Sequence, residues 1–173
     1  MPETKSKIKT LGDPVLRRKA KPVEKITQEH SEILSQMAKA MHEGDGIGLA
    51  APQIGISLQM IVIDVGGGLY KLINPKIVKR EGFQAITEGC LSVPGVSVKV
   101  KRSKKVWVEA KDENNKPLEV EANDLFACAV QHEIDHLNGK LIIDYATFLE
   151  KIRIKRKLAA LKTDAKASGK LQL

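Results

Sequence analysis

Residues 132–136 read His132-Glu133-Ile134-Asp135-His136, inside a stretch that is otherwise almost wholly apolar (Leu125, Phe126, Ala127, Cys128, Ala129, Val130, Leu137). No other feature of the chain restricts its fold so tightly. Asn123 or Asp124 can cap a helix here and Asn138-Gly139 can end it. A helix apolar on most faces has to be buried, and burying two imidazoles and two carboxylates without partners costs several kcal/mol. Histidines four residues apart project from one face, with Cβ atoms about 5–6 Å apart, so both can reach a single ion at about 2.0–2.1 Å. Without a metal the pattern is expensive; with one it is explained. Glu133 lies about a hundred degrees round the helix from His132. It is poorly placed to ligate beside both histidines, yet it can reach a water on the metal.

A hydrolytic metal site needs a third protein ligand and one open position. Cys128 sits one turn before His132 on the same face, but it is eight residues from His136, about 12 Å along a helix. One ion cannot span that, and Cys128 reads as a small core residue or a pocket wall. Cys90 lies in Glu88-Gly89-Cys90-Leu91-Ser92, behind a stretch read as a strand. Gly89 lets the backbone bend close, and a thiolate there would suit a divalent ion; a buried structural cysteine fits the pentapeptide as well. A third cluster is Gly46-Ile47-Gly48-Leu49-Ala50-Ala51-Pro52-Gln53. Its glycines allow an extended backbone close to a ligand, and the Gln53 amide is a neutral donor suited to a developing oxyanion. A plain loop is the alternative.

The rest of the chain sets the frame. Ile33, Leu34, Met37, Ala38 and Met41 recur at helical spacing and predict a helix over 26–43, capped by Thr27 and closed by Gly44-Asp45-Gly46. Residues 58–65 and 69–73 flank Gly66-Gly67-Gly68 and predict a hairpin, stopped by Asn74-Pro75. Strands are expected over 96–101, 105–111 and 118–122, with turn residues at 112–117. A last helix is expected over 147–161, followed by a polar tail. Strands in the middle and helices at the ends predict an α+β fold with mainly antiparallel pairing. The 173 residues fit one domain, no apolar run approaches the ~20 residues of a membrane span, and the polar opening at 1–9 is not a targeting segment. Two cysteines point to a reducing cytoplasm, and the missing transit peptide to a bacterium. The net charge of +8 favours polyanionic surroundings or simply a soluble surface.

Taken together, the segments 46–53, 88–92 and 132–136 resemble the three motifs of the peptide deformylase family, in the same order and at similar spacing. The likeness extends to Gly12-Asp13-Pro14-Val15-Leu16-Arg17 and Ala20-Lys21-Pro22-Val23, and it thins after about Tyr145. The resemblance implies an α+β fold in which antiparallel sheets enclose the metal helix. It implies removal of the formyl group from formyl-methionyl nascent peptides, with release of formate. It makes Cys90, His132 and His136 the ligands of one divalent ion per chain, ferrous iron first, with zinc, nickel or cobalt able to replace it. Glu133 handles the proton, and the Gln53 side chain and the Leu91 N–H bind the oxyanion. Leu125, Cys128 and Ala129 would form the methionine slot, with Gly46, Ile47 and Gly48 pairing with the substrate backbone. Past Pro94 the chain departs from many relatives, reading Gly95-Val96-Ser97-Val98 where they place a bulkier or cationic residue near the pocket mouth.

Two rivals fit less well. An ordinary HExxH peptidase wants a third ligand after the helix, and 137–173 contains no His or Cys. An RNA-binding module with a structural metal usually fills four positions, and no fourth is evident. The last helix has two apolar stripes amid basic residues. Phe148, Leu149 and Ile152 are expected to dock on the body. Ile154, Leu158 and Leu161 are then left for the ribosome near its exit tunnel, where the resemblance places such a helix; the alternative is a helix packed on its own body with a solvated basic face.

Overall fold

The computed structural model describes residues 7–170; the readings that fall on 1–6 and 171–173 lie outside the described residues. The core grows from a run with no polar side, Met60-Ile61-Val62-Ile63, which forms strand β2 (Met60–Ile63) and is buried throughout. Such a strand needs cover on both faces. It sits between β1 (Gly48–Ala50) and β3 (Tyr70–Glu81) in an antiparallel sheet continued by β6 (Lys105–Lys111) and β7 (Pro117–Asn123), in the order β1-β2-β3-β6-β7. Helix α1 (Gln28–Glu43) covers one face, with Leu34, Met37 and Met41 packed on Met60 and Val62. Helix α2 (Asp124–Leu137) covers the other, with Ala127 and Val130 on Ile61, Ile63 and Val108. Two further strands, β4 (Gln84–Gly89) and β5 (Ser97–Arg102), pair antiparallel as a separate two-stranded sheet. The α+β architecture with a buried central helix is the expected one.

Of three local expectations, two hold and one fails. Thr27 caps α1, its backbone N–H donating to His30 Nδ1 at 3.1 Å. The hairpin through Gly66-Gly67-Gly68 pairs Met60 with Ile73, but Asn74-Pro75 does not stop β3. Asn74 adopts φ 52° and the register slips between Ile73 and Lys76, so the pair forms a bulge. There Pro lacks the N–H that a regular ladder would use. The Asn74 side chain meanwhile bonds both the N–H and the C=O of Val23 at 2.8 Å.

The closing helix α3 (Phe148–Lys170) is longer than expected and takes in most of the polar tail. Its stripes are reversed. Ile154, Leu158 and Leu161 pack against Leu11, Leu16 and the valines of β5, while Phe148, Leu149 and Ile152 are 77%, 65% and 55% exposed. The reason is length. Positions 154, 158, 161 and 165 make an unbroken row over three turns, ending where Ala165 meets Gly12, whereas the other stripe spans little more than one turn. Among the described residues, no helix is long and apolar enough to cross a membrane.

Candidate metal centre and its cleft

Cys90 leaves the end of β4 as His132 and His136 rise from α2, and the three ligand atoms lie within 4.8 Å of one another. His136 Nε2 is 3.3 Å from Cys90 Sγ and 3.2 Å from His132 Nε2. Donors bound tetrahedrally at about 2.0–2.3 Å stand roughly 3.3–3.6 Å apart, so the constellation fits one divalent ion. Burial pushes His136 well below the ordinary imidazole value, with His132 adding to the effect, which leaves it neutral and able to ligate. Cys128 stays outside the cluster. It is buried, and that burial raises its thiol, as a wall residue requires.

His132 is aimed by residues that sequence reasoning did not single out. Its Nδ1 donates to Glu88 Oε2 at 2.9 Å, leaving Nε2 free to face the metal position, the usual arrangement behind a ligating histidine. Glu88 is gripped by Arg102, with Nε–Oε1 at 2.7 Å and Nη2–Oε2 at 2.9 Å. Arg102 Nη1 then bonds Asp135 Oδ2 at 2.6 Å, and the Tyr145 hydroxyl donates to the same oxygen at 2.8 Å. Burial alone would raise Glu88, but the Arg102 and His132 bonds outweigh it and hold the carboxyl at about 2. One clue was present: the second carboxylate of the apolar helix, Asp135, needs a partner, and Arg102 is that partner.

Glu133 turns the other way, towards β1. It is buried, and burial lifts its carboxyl to about 7. Among the described residues, its Oε2 is a buried side-chain atom with no hydrogen-bond partner, as expected of a carboxylate that faces a metal-bound water. Gly48 makes room for it. A Cβ there would stand 2.9 Å from Glu133 Cδ and 3.0 Å from Cγ, so any side chain at 48 would displace the carboxylate. Gly46 is similarly confined, with Leu91 Cδ1 2.8 Å from the Cβ position. The Gln53 amide is fixed at both ends: Oε1 accepts from Ala50 N–H at 2.8 Å, and Nε2 donates to Ser92 Oγ at 3.1 Å, 3.8 Å from Cys90 Sγ.

A cavity of about 480 Å³ opens above these groups. Every candidate residue except His136 lines it. Gly46, Ile47 and Gly48 form one side, Leu125, Cys128 and Ala129 another, and Gln53, Cys90, Leu91, His132 and Glu133 the reacting end. Leu125 and Ile47 stand half-exposed at the rim, while Cys128 and Ala129 are buried deeper. Pro94 and Gly95 reach the mouth, but Val96 turns into the core. A cation does arrive there from a distance, as Lys157 of α3 donates to Gly95 O at 2.9 Å.

Comparison with known proteins places this geometry. The family model described as polypeptide deformylase matches residues 5–151. A peptide deformylase of Thermoanaerobacter pseudethanolicus is 55% identical over 139 residues, covering 80% of this chain and 87% of that protein. One from Halothermothrix orenii is 49% identical over 139 residues, covering 79% and 90%. The crystal structure of a peptide deformylase from Legionella pneumophila superposes with a TM-score of 0.85 at 42% identity, over 91% of this chain and 95% of that one. Another from Synechococcus elongatus, in complex with actinonin, gives 0.83 at 46% identity, over 87% and 84%. Agreement of this extent, over the metal helix, the cysteine loop and the glycine-rich strand together, makes the chain a member of the peptide deformylase family.

Proposed function

We propose that this protein removes the formyl group from formyl-methionyl nascent peptides by metal-dependent hydrolysis, releasing formate. The observation that carries the reading is a thiol–imidazole–imidazole cluster beside a buried carboxyl group whose Oε2 lacks a partner. A divalent ion held by Cys90, His132 and His136 would supply a Lewis acid and water of pKa near ~7; ferrous iron is the assignment, with zinc, nickel or cobalt as substitutes. Glu133, lifted to about 7 by burial, takes the proton of the attacking water and passes it to the leaving nitrogen. A group poised near neutral pH does both efficiently.

Gln53, clamped by Ala50 and Ser92, points its amide at the cysteine end of the cleft. With the Leu91 N–H it would stabilise charge on the formyl oxygen. Strand β1 is an edge of its sheet, so the backbone of Gly46, Ile47 and Gly48 can take the substrate as an added strand. Leu125, Cys128 and Ala129 would receive the methionine side chain. Residues 1–173 then act as one catalytic domain in the bacterial cytoplasm, in keeping with two free cysteines.

Iron-loaded protein is expected to release formate from a formyl-methionyl peptide, and no release would end this reading. Metal analysis separates the cysteines: Cys90→Ser should lose most of its metal, whereas Cys128→Ser should keep one ion per chain. The reverse pattern would move the third ligand.

The ribosome is the partner assigned to α3, on the opposite stripe from the one expected. Phe148, Leu149 and Ile152 are exposed amid Lys151, Arg153 and Lys155, and an apolar patch with a basic surround suits a ribosomal surface. Phe148→Glu with Ile152→Glu should weaken co-sedimentation with ribosomes severalfold and leave peptide deformylation unchanged. Equal sedimentation of variant and parent would remove this assignment.

A further inference from the structure

Behind α2 lies a second cavity, of about 460 Å³, lined by none of the metal, catalytic or substrate residues assigned above. Gln131, Ile134, Asp135 and Asn138 form its helical wall, a stripe of α2 distinct from the one that faces the metal. Arg80, Lys101, Arg102 and Lys140 line it against one carboxylate, Asp135. That carboxylate is already engaged by Arg102 at 2.6 Å and Tyr145 at 2.8 Å, and Arg102 is matched by Glu88 as well. Among the described residues, the remaining cations, Arg80, Lys101 and Lys140, meet no lining carboxylate of their own. Arg80 bonds a neutral amide there, Gln131 Oε1 at 2.9 Å.

The rim carries an aromatic ring. Phe83 is 72% exposed, in a chain with only 3% aromatic residues. It is not a loose side chain, since the Lys101 ammonium sits 4.3 Å from the ring centroid. An anion-attracting cleft with a held, solvent-facing ring matches a ligand that has a phosphate and a flat base. The cationic track also continues past the cavity, because Lys99 and Lys101 are both exposed on β5, about 7 Å apart as alternate residues of a strand. A free nucleotide would not use Lys99; a strand would. An acidic peptide would use the charges but not the ring.

We propose that this rear cleft binds single-stranded nucleic acid, with a base stacked on Phe83 and the adjoining phosphates on Arg80, Lys101 and Lys140. The site stands on residues other than the exposed stripe of α3 and is independent of ribosome docking.

The test uses metal-loaded full-length protein and a fluorescein-labelled octauridylate, read by anisotropy. Binding should weaken steeply as salt rises. Phe83→Ala should weaken it about tenfold and Phe83→Tyr should restore it, while Lys101→Gln and Lys140→Gln should each reduce the salt slope by about 0.7. Formate release from a formyl-methionyl peptide should be unchanged in all of them. The proposal is overturned if Phe83→Ala binds as tightly as the parent. It is equally overturned if polyglutamate competes as well as unlabelled octauridylate, or if uridine monophosphate alone binds as tightly as the octamer.

Discussion

Glu133→Ala should lower formate release by about 10²–10⁴-fold while leaving one metal ion per chain. The two halves of that result come from where the side chain points. Glu133 faces Gly48 across a gap too small for a Cβ, not the thiol and imidazoles that converge on the metal position. The variant should also be no less stable than the parent, because a buried carboxyl group with an unpartnered oxygen opposes folding. Kinetics, metal analysis and thermal unfolding on one preparation give the three readings. Activity within tenfold of the parent would remove Glu133 from proton transfer, and loss of the metal would make it a ligand.

Arg102→Met should be the most damaging change outside the reacting groups. Its side chain is 4% exposed and its guanidinium holds Glu88 and Asp135 at once, so truncation strands two carboxylates in a poorly solvated place. Breaking a buried pair on one side typically costs about 3–5 kcal/mol, to be read from urea unfolding at neutral pH. Because Glu88 aims His132, metal affinity should fall about 10–100-fold as well.

The acid limb carries a signature. Glu88 is depressed from 4.5 to about 2, so its contribution is complete above pH 4.5 and disappears as pH falls towards 2. The parent should lose that contribution across this window, whereas Arg102→Met should have little of it left to lose. Neutral stability within 1 kcal/mol of the parent, with metal affinity unchanged, would show that the network does not hold the site.

The metal helix was legible because its signal is local. Two histidines one turn apart in an apolar segment state burial and point to a shared metal position, and Asn123 and Asn138 mark the ends. The glycine cluster could be read only as permitting close approach; what approaches, Glu133 at Gly48 and Leu91 at Gly46, comes from segments far along the chain. The support of His132 was illegible for the same reason. Arg102 meets Asp135 across 33 positions and Glu88 across 14, and β5 reads as an ordinary alternating strand whose last inward residue happens to be charged. At Asn74-Pro75 the local rule for turns lost to tertiary pairing, since the Asn74 amide bonds Val23. In α3 both stripes were visible, but choosing between them required knowing that Leu11 and Gly12 lie where the row ending at Ala165 can reach them.

That last contact has a meaning in the order of synthesis. Gly12 is made before any residue of the Cys90–His132–His136 cluster, and the backbone that closes over it, at Lys162, after all of them. Lys157, which steadies Gly95 at the cleft mouth, also follows the whole cluster. A growing copy of this chain can assemble its sheet, the Cys90–His132–His136 cluster and Glu133 before α3 is made, yet the brace on the cleft forms only when α3 emerges. An enzyme that works on unfinished proteins is thus itself braced by residues made after its own cleft.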